Sequence, residues 1–505
     1  MTSLLSLALS PAHAASLDLI QVGGAWGTPA ATNPTALWWN PAGLAVGAGK
    51  IQFIVEGAPT FATVTAARAN PNYGQLDPTF GDAGYPTTYD YSGTDTIKFN
   101  GVVPFVGVST GIIPGLGVGI GLAVPTARGG TSDQEWGANR FALRDAGIQA
   151  IDVMGGVSYD ILNKVSLGGA FHFVDSSYFA NLDTSIFPDL AHSAEAQLGG
   201  ADLPVFQDGM QEDQAYSSTL VMGGEEGNAE HGALKDTAMT FGAGIYVHPI
   251  GKKLGISLAY TQGVRLDHEG DLTMKFQCAP DYVLAGAVRL GMEQQGLCNS
   301  TIQGKGKVGY DLPSRVNFGV VVSPIDRLRA EVMGSYVMWS AFDDYEIHTE
   351  IAAEAVDAAS PELAAATADL LSQDRLWARD NQDTYWLGVD VKGQIHPKFL
   401  AGARVMYDHH AIPDQAVSAN NIDNDEVIVG LLAEVNPIEQ LGIGLSFNHH
   451  FLMERDITNS AYGITVDEDN PKEDRWFYPE ANGKYGGSIN RLGIVVRGHV
   501  GGQGW

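Results

Sequence analysis

Apolar side chains recur at every second position along most of this 505-residue chain, and the segments that carry them are joined alternately by very short and very long connections. In KVSLGGAFHFV, Val165, Leu167, Phe171 and Phe173 fall on one face and Lys164, Ser166 and His172 on the other. KLGISLAYTQGV repeats the pattern with Leu254, Ile256, Leu258 and Tyr260, and LGIGLSFNHHF with Leu441, Ile443, Leu445 and Phe447. KFLAGARVMYD sets Phe399, Ala401, Ala403, Val405 and Tyr407 against Arg404 and Asp408. Successive side chains of a strand point to opposite faces, so this period predicts strands with one apolar face. The predicted strands cover 50–67, 96–110, 115–126, 144–160, 164–175, 236–248, 253–267, 311–323, 327–341, 383–396, 398–408, 425–435, 439–452 and 487–502.

GIIPG, DILNK, HPIGKK, SPIDR, HPK and NPIEQ read as tight turns, whereas 68–95, 176–235, 268–310, 342–382 and 453–486 read as long polar connections. A soluble sandwich has no reason to make every second turn minimal. A transmembrane β-barrel does, with short turns at one end and long loops at the other. The expected fold is therefore all-β, a barrel of 14 antiparallel strands with both termini on the short-turn side. Closure also removes the edge strands that a bilayer could not tolerate. Tyr336, Trp339, Tyr385 and Trp386, near strand ends, suit interfacial girdles. No run of 18 apolar residues exists to form a membrane-spanning helix. The formal net charge of -29 argues against a nucleic-acid partner, which needs clustered Lys and Arg.

MTSLLSLALSPAHA, residues 1–14, has an apolar stretch from Leu4 to Leu9 and ends Ala12-His13-Ala14, the pattern of a secretory signal cleaved after Ala14. Its lack of a basic leading region places the expected true start upstream. The two cysteines, Cys278 and Cys298, have 19 residues between them and are expected to form a disulfide in an exported chain, free thiols being the alternative. No His/Cys spacing accompanies them, so zinc is not expected there. The adjacent pairs His409-His410 and His449-His450 are expected not to chelate, because neighbours in a strand face opposite ways. No metal site and no cofactor are predicted. GVSTG, 107–111, matches a nucleophile-elbow pattern, but Ser109 leads into a tight turn and another strand instead of a helix. No catalytic residue is assigned, and the chain does not read as an enzyme. Residues 351–377 read as a helix pair broken at Pro361, with Ser360 as N-cap.

LWWNPAGLA near the N-terminus resembles the Asn-Pro-Ala segment of the FadL/TodX family, outer-membrane transporters of long-chain fatty acids and other hydrophobic compounds. The resemblance continues in order through EWGANRFALRDAGI, LPSRVNFGVVVSPIDRLRAEVMGSYVMWSAF, DTYWLGVDV and VMYDHHAIPDQAVSANNIDNDEVIVGLLAEV. It implies a 14-stranded barrel whose N-terminal segment, residues 15–49, folds inside the lumen as a hatch, with 50–505 as the barrel. Trp38, Trp39, Asn40, Pro41 and Ala42 would belong to that hatch, the tryptophans packing in the lumen and Asn40-Pro41 fixing a turn. The alternative is an ordinary strand leading into the barrel.

The family's third strand carries a kink that opens the wall sideways. GLGVGIGLAVP supplies the candidate here, since Gly117, Gly119 and Gly121 leave one strand face bare; the duller reading is that they make room for the hatch. Leu370, Leu371 and Trp377 are the candidate hydrophobic groove on the outer loops. The expected partners are a hydrophobic small molecule, a fatty acid or hydrocarbon, and the lipid and lipopolysaccharide of a Gram-negative outer membrane. A monomer is expected. Acidic loops such as GGEEGNAEH, DEDNPKEDR and NNIDNDE would share divalent cations with lipopolysaccharide or simply be solvated. The expected function is passive uptake by lumen binding, hatch movement and lateral exit. The rival readings are a general aqueous porin and a structural or adhesive surface barrel.

Overall fold

Every predicted strand is present in the computed structural model, and its apolar face points outward. Val55, Phe61, Ile120, Leu167, Phe171, Leu258, Val405, Leu445 and Ile494 are exposed, while Ser166, His172, Arg404 and Ser446, one residue away in register, are buried. This is an inside-out protein, as a wall facing hydrocarbon requires. The structure describes residues 22–47, 50–68, 93–133, 139–140, 142–185, 217–222, 233–276, 286–342, 344–372, 374–461, 464–465 and 481–500. The predicted signal at 1–14 and Cys278 lie outside them.

The strands are β1 (Ile51–Arg68), β2 (Gly93–Ile113), β3 (Leu116–Ser132), β4 (Asp145–Ile161), β5 (Val165–Ser185), β6 (Ser217–Met222), β7 (Leu234–Val247), β8 (Leu254–Thr261), β9 (Val264–Phe276) and β10 (Thr301–Leu312). They continue as β11 (Ser314–Ile325), β12 (Leu328–Met338), β13 (Asp344–Glu350), β14 (Asp374–Ala378), β15 (Thr384–His396), β16 (Phe399–Asp408), β17 (Glu426–Ile438), β18 (Leu441–Ile457), β19 (Ile464–Thr465) and β20 (Gly483–Val500). Antiparallel pairing runs β1–β2–β3–β4–β5–β7–β8. It passes on through β11–β12–β15–β16–β17–β18–β20 and returns to β1. The sheet closes on itself, a closed antiparallel barrel.

The sheet contains 20 strand segments where 14 were expected. The additional ones sit in the long connections, which are not simply polar loops. The predicted strand 253–267 breaks after Thr261, and β9 leaves the wall. From the outer part of β5, pairing then runs β6–β9–β10–β13–β14–β19, a crown above the barrel. Leu266, Leu272, Met274 and Phe276 alternate along β9 and are buried, so the same period of two that builds the wall also builds the crown. The crown packs an apolar core around Tyr310, Trp339, Phe342, Tyr345 and Trp377 that continues onto Val64, Ile97, Ile148 and Tyr178 of the outer wall.

The tight turns fall where expected. In DILNK, Leu162 and Asn163 both take positive φ (54 and 53) at the centre of a turn that the Lys164 N–H closes by donating to the Ile161 carbonyl at 3.1 Å. Four helices occur among the described residues: α1 (Ala36–Trp39), α2 (Gly43–Val46), α3 (Gly286–Gln294) and α4 (Pro361–Leu371). Ser360 caps α4, accepting from the Leu363 backbone N–H at 3.2 Å, with Pro361 opening the helix. The expected first helix of that pair is only a 3₁₀ turn, Ala353–Ala355. Of the expected girdle aromatics, Tyr336 and Tyr385 are exposed but Trp339 and Trp386 are buried. Tyr385 and Trp386 are neighbours in one strand and cannot both face lipid.

Candidate functional site

Residues 22–47 fill the short-turn half of the lumen. Asn33 starts the fold of this segment, its Oδ1 accepting from the Thr35 backbone N–H (2.8 Å) and hydroxyl (2.7 Å) to turn the chain into α1. Asn40 ends α1 in extended geometry, φ -160 and ψ 102, as the proline after it demands. Its Oδ1 accepts from Ala42 N–H at 3.1 Å, and its Nδ2 donates to the Ile245 carbonyl of β7 at 3.0 Å. Trp38 and Trp39 are buried. The Arg315 guanidinium lies 3.5 Å over the Trp38 ring, and Trp39 meets Trp386 edge-on at 5.8 Å while donating to the Val22 carbonyl at 2.9 Å. With Leu37 and Leu44 they form one apolar cluster with Ile54, Phe105, Met154, Met333 and Val495 of the wall.

Charged side chains hold the other flank. Arg404 bonds Asp390 through Nε at 3.0 Å and donates to the carbonyls of Gly24, Ala25 and Gly27 at 3.2–3.3 Å. A planar fork of donors suits such a row of acceptors. Glu331 accepts from the Thr28 hydroxyl and the Ala30 N–H, both at 2.9 Å, and Arg329 donates to the Ala30 carbonyl at 2.8 Å. Lys392 pairs with Asp390, and Arg497 pairs with Glu434 while its guanidinium lies 3.7 Å over the Trp26 ring. Buried charges are tolerable only when partnered, and here the partners include the N-terminal segment's own backbone. These residues were not singled out from the sequence. The available signal was opposite charge at i and i+2 on the inward face of an apolar strand: Arg329 with Glu331, Asp390 with Lys392.

The glycine face of β3 does not open the wall. Gly117, Gly119 and Gly121 pair with Gly111, Ser109 and Gly107 of β2 and with Ser158, Gly156 and Met154 of β4. A Cβ on Gly117 would lie 2.5 Å from the Leu44 carbonyl carbon, and one on Gly121 would lie 3.0 Å from Leu37 Cδ1. The glycines give α1 and α2 room to approach. The interruption lies further out. Between Lys98↔Thr131 and Phe105↔Ala123 the β2–β3 ladder carries no pairing, although β2 stays paired to β1 and β3 resumes with β4 at Thr126. Pro104 and Pro125, which have no N–H to give a ladder, stand at the inner end of this gap. The flanking Phe99, Val103 and Val124 are buried.

At the outer end, Leu371 and Trp377 are buried in the crown core and Leu370 is only half-exposed, so they are not an open groove. The alanine-rich face of α4 lies on the crown through Ala364, Ala368 and Leu371, which draws these side chains inward. The run 420–426, expected either to share divalent cations with lipopolysaccharide or to be solvated, is largely interior: Asp423, Asn424 and Glu426 are buried. Cys298 is disulfide-bonded.

The two histidine pairs behave differently. His449 and His450 lie in β18 and face apart, bonding Asn490 and Glu426 respectively. His409 and His410 lie just beyond β16, where alternation no longer applies, and both turn Nδ1 to Asp425 Oδ1, at 2.8 and 2.6 Å. The Tyr407 hydroxyl donates to Oδ2 at 2.7 Å and the His410 backbone N–H to Oδ1 at 3.0 Å. Burial would raise the Asp425 carboxyl's pKa, but the hydrogen bonds from His410 and Tyr407 outweigh it and hold it well below the usual carboxylate range. Burial pushes His410 down despite its bond to Asp425. Ser109 sits within β2, paired with Gln52 and Gly119, and the strand continues through it.

A family model described as "Outer membrane protein transport protein (OMPP1/FadL/TodX)" matches residues 15–474. No curated protein matches the chain. Among solved structures, the chain is similar to a Pseudomonas aeruginosa FadL homologue, at 17% identity and TM-score 0.66 over 97% of this chain and 99% of that one. It is also similar to the Pseudomonas putida toluene transporter TodX (13%, TM-score 0.57, 97% and 98%) and to the CymD monoaromatic hydrocarbon channel (11%, TM-score 0.57, 93% and 94%). At these identities the structures speak for the fold, and the family match carries the rest. The chain belongs to the OMPP1/FadL/TodX family of outer-membrane transport proteins, channels for hydrophobic compounds rather than enzymes, in the outer membrane of Gram-negative bacteria.

Proposed function

We propose that this chain carries a long-chain fatty acid or a comparably hydrophobic molecule passively into the outer membrane, through a wall of fourteen strands closed at its inner end by residues 15–49 acting as a hatch. The wall count rests on the pairing ring from which β6, β9, β10, β13, β14 and β19 drop out. The hatch reading rests on the hydrogen bonds that Arg404, Glu331, Asn317 and Ser257 make to its backbone or hydroxyls. Two of the similar solved structures are a toluene transporter and a monoaromatic hydrocarbon channel, which puts small aromatic hydrocarbons beside acyl chains as candidate cargo.

The observation that carries the proposal is the unpaired stretch between β2 and β3. It begins beyond Phe105↔Ala123, two residues outward of Gly107 and Gly121, against which Pro34 and Leu37 pack. A ligand held above the hatch therefore meets the gap before the hatch, and lateral exit needs only a shift of the hatch, not its expulsion. Apolar flanks at Phe99, Val103 and Val124 suit such a cargo. The test is uptake of labelled oleate and of toluene by cells carrying the protein, compared with a Val103→Trp/Val124→Trp variant that adds bulk beside the gap. Reduced uptake by a variant that keeps heat-modifiable mobility is expected. Unchanged uptake removes the lateral route, and high ion conductance of the intact protein in planar bilayers would favour a porin instead.

A further inference from the structure

We propose that His409, His410 and Asp425 bind a divalent transition-metal ion, with Zn²⁺ the best fit. Their ligand atoms lie within 4.8 Å of one another and come from two chain segments, the end of β16 and the approach to β17. Two imidazoles and one carboxylate form a borderline donor set that suits Zn²⁺, Co²⁺ or Ni²⁺, whereas Ca²⁺ and Mg²⁺ prefer all-oxygen shells. Ligands of a tetrahedral Zn²⁺ with bonds of about 2.0–2.1 Å stand about 3.3 Å apart. The Nδ1–Oδ1 contacts of His409 (2.8 Å) and His410 (2.6 Å) need to open by about 0.5 and 0.7 Å to admit the ion.

The chemistry around the three ligands fits. Coordination through Nδ1 puts each ring's proton on Nε2. The Tyr407 hydroxyl fixes the carboxylate through the oxygen the ion does not use. The side chains of His409, His410 and Asp425 keep 35%, 30% and 24% exposure, enough for the ion to enter and for water to complete the shell. The nearby cation Arg455 is engaged by Asp414 and by the carbonyls of Ile412 and Asp423. The ion would pin the loop 409–425, whose Ala411, Ile412, Val417 and Ile422 sit in the crown core, to the barrel rim.

The test uses the full-length protein, folded in detergent and stripped with EDTA, titrated with Co²⁺ and followed by its visible d–d absorption. One equivalent is expected to bind, to be displaced by Zn²⁺ and to ignore excess Mg²⁺. His409→Ala and Asp425→Asn are each expected to abolish it, and Tyr407→Phe to weaken it about 10- to 100-fold. His449→Ala, on the other histidine pair, is expected to change nothing. Folding of each variant is checked by heat-modifiable mobility, with His410→Gln replacing any that fails. Absence of stoichiometric Co²⁺ binding by the wild type, or binding that survives both His409→Ala and Asp425→Asn, overturns the proposal.

Discussion

Adding one methyl group at Gly117 should loosen the N-terminal segment, whereas the same change at Gly155 should not. A Cβ at Gly117 would stand 2.5 Å from the carbonyl carbon and oxygen of Leu44 and 2.6 Å from the Ala45 nitrogen, all backbone atoms of α2. Ordinary contact begins near 3.4 Å, so α2 must retreat by about 1 Å. Overpacking of this kind costs about 1–3 kcal/mol, and the Gly→Ala change returns about 0.4–1 kcal/mol by stiffening the unfolded chain. At Gly155 nothing lies within 4 Å, so only the favourable part remains. The two variants should thus differ by about 1–3 kcal/mol. The midpoint of heat-modifiable mobility, measured at one heating rate for both, reports the difference, and planar-bilayer conductance reports whether the lumen has opened. Gly117→Ala should melt lower and leak more ions. Equal midpoints and equal conductance for the two would refute the idea that the bare face of β3 exists to seat α2.

Arg404→Gln removes three contacts to the segment's carbonyls while Asp390 keeps Lys392; a buried acceptor left without its donor costs about 1–3 kcal/mol, so higher conductance and a lower midpoint are expected. In the crown, burial pushes His268 down to about 4 from its ordinary 6.5, because its ring stacks on Tyr310 with Nε2 against the Ser176 hydroxyl. The unfolded chain then binds the extra proton between those values, so stability is full above pH 6.5 and falls by up to about 3 kcal/mol towards pH 4. Melting midpoints across that range should flatten in His268→Gln. Reducing the disulfide at Cys298 should lower the midpoint, the chain-entropy model giving about 3 kcal/mol for a loop of this size; an unchanged midpoint under full reduction would remove its stabilising role.

Period-two runs such as Val165–Phe173 and Leu441–Phe447 carried enough information to place the wall strands, because side-chain alternation is a local property of extended backbone. Asn40's extended geometry was equally local, dictated by Pro41. Which way the alternating faces point is not local: Trp386 turns inward because closure of the sheet assigns each register position to lumen or lipid, and Trp339, in a 3₁₀ turn just past β12, is buried by the crown. The crown escaped notice because β6, β13, β14 and β19 are short and its strands bury their apolar side chains on long-range partners, as Trp377 does in pairing with Tyr345 and Ile464. The glycines of β3 were visible as a bare face, but only the packed structure shows α2 seated on it and the unpaired stretch beyond it. His409 and His410 make the same point at one step of the chain. Neighbours in a strand must diverge, yet these two lie just past the end of one, where backbone freedom and a carboxylate 15 residues away bring both rings together.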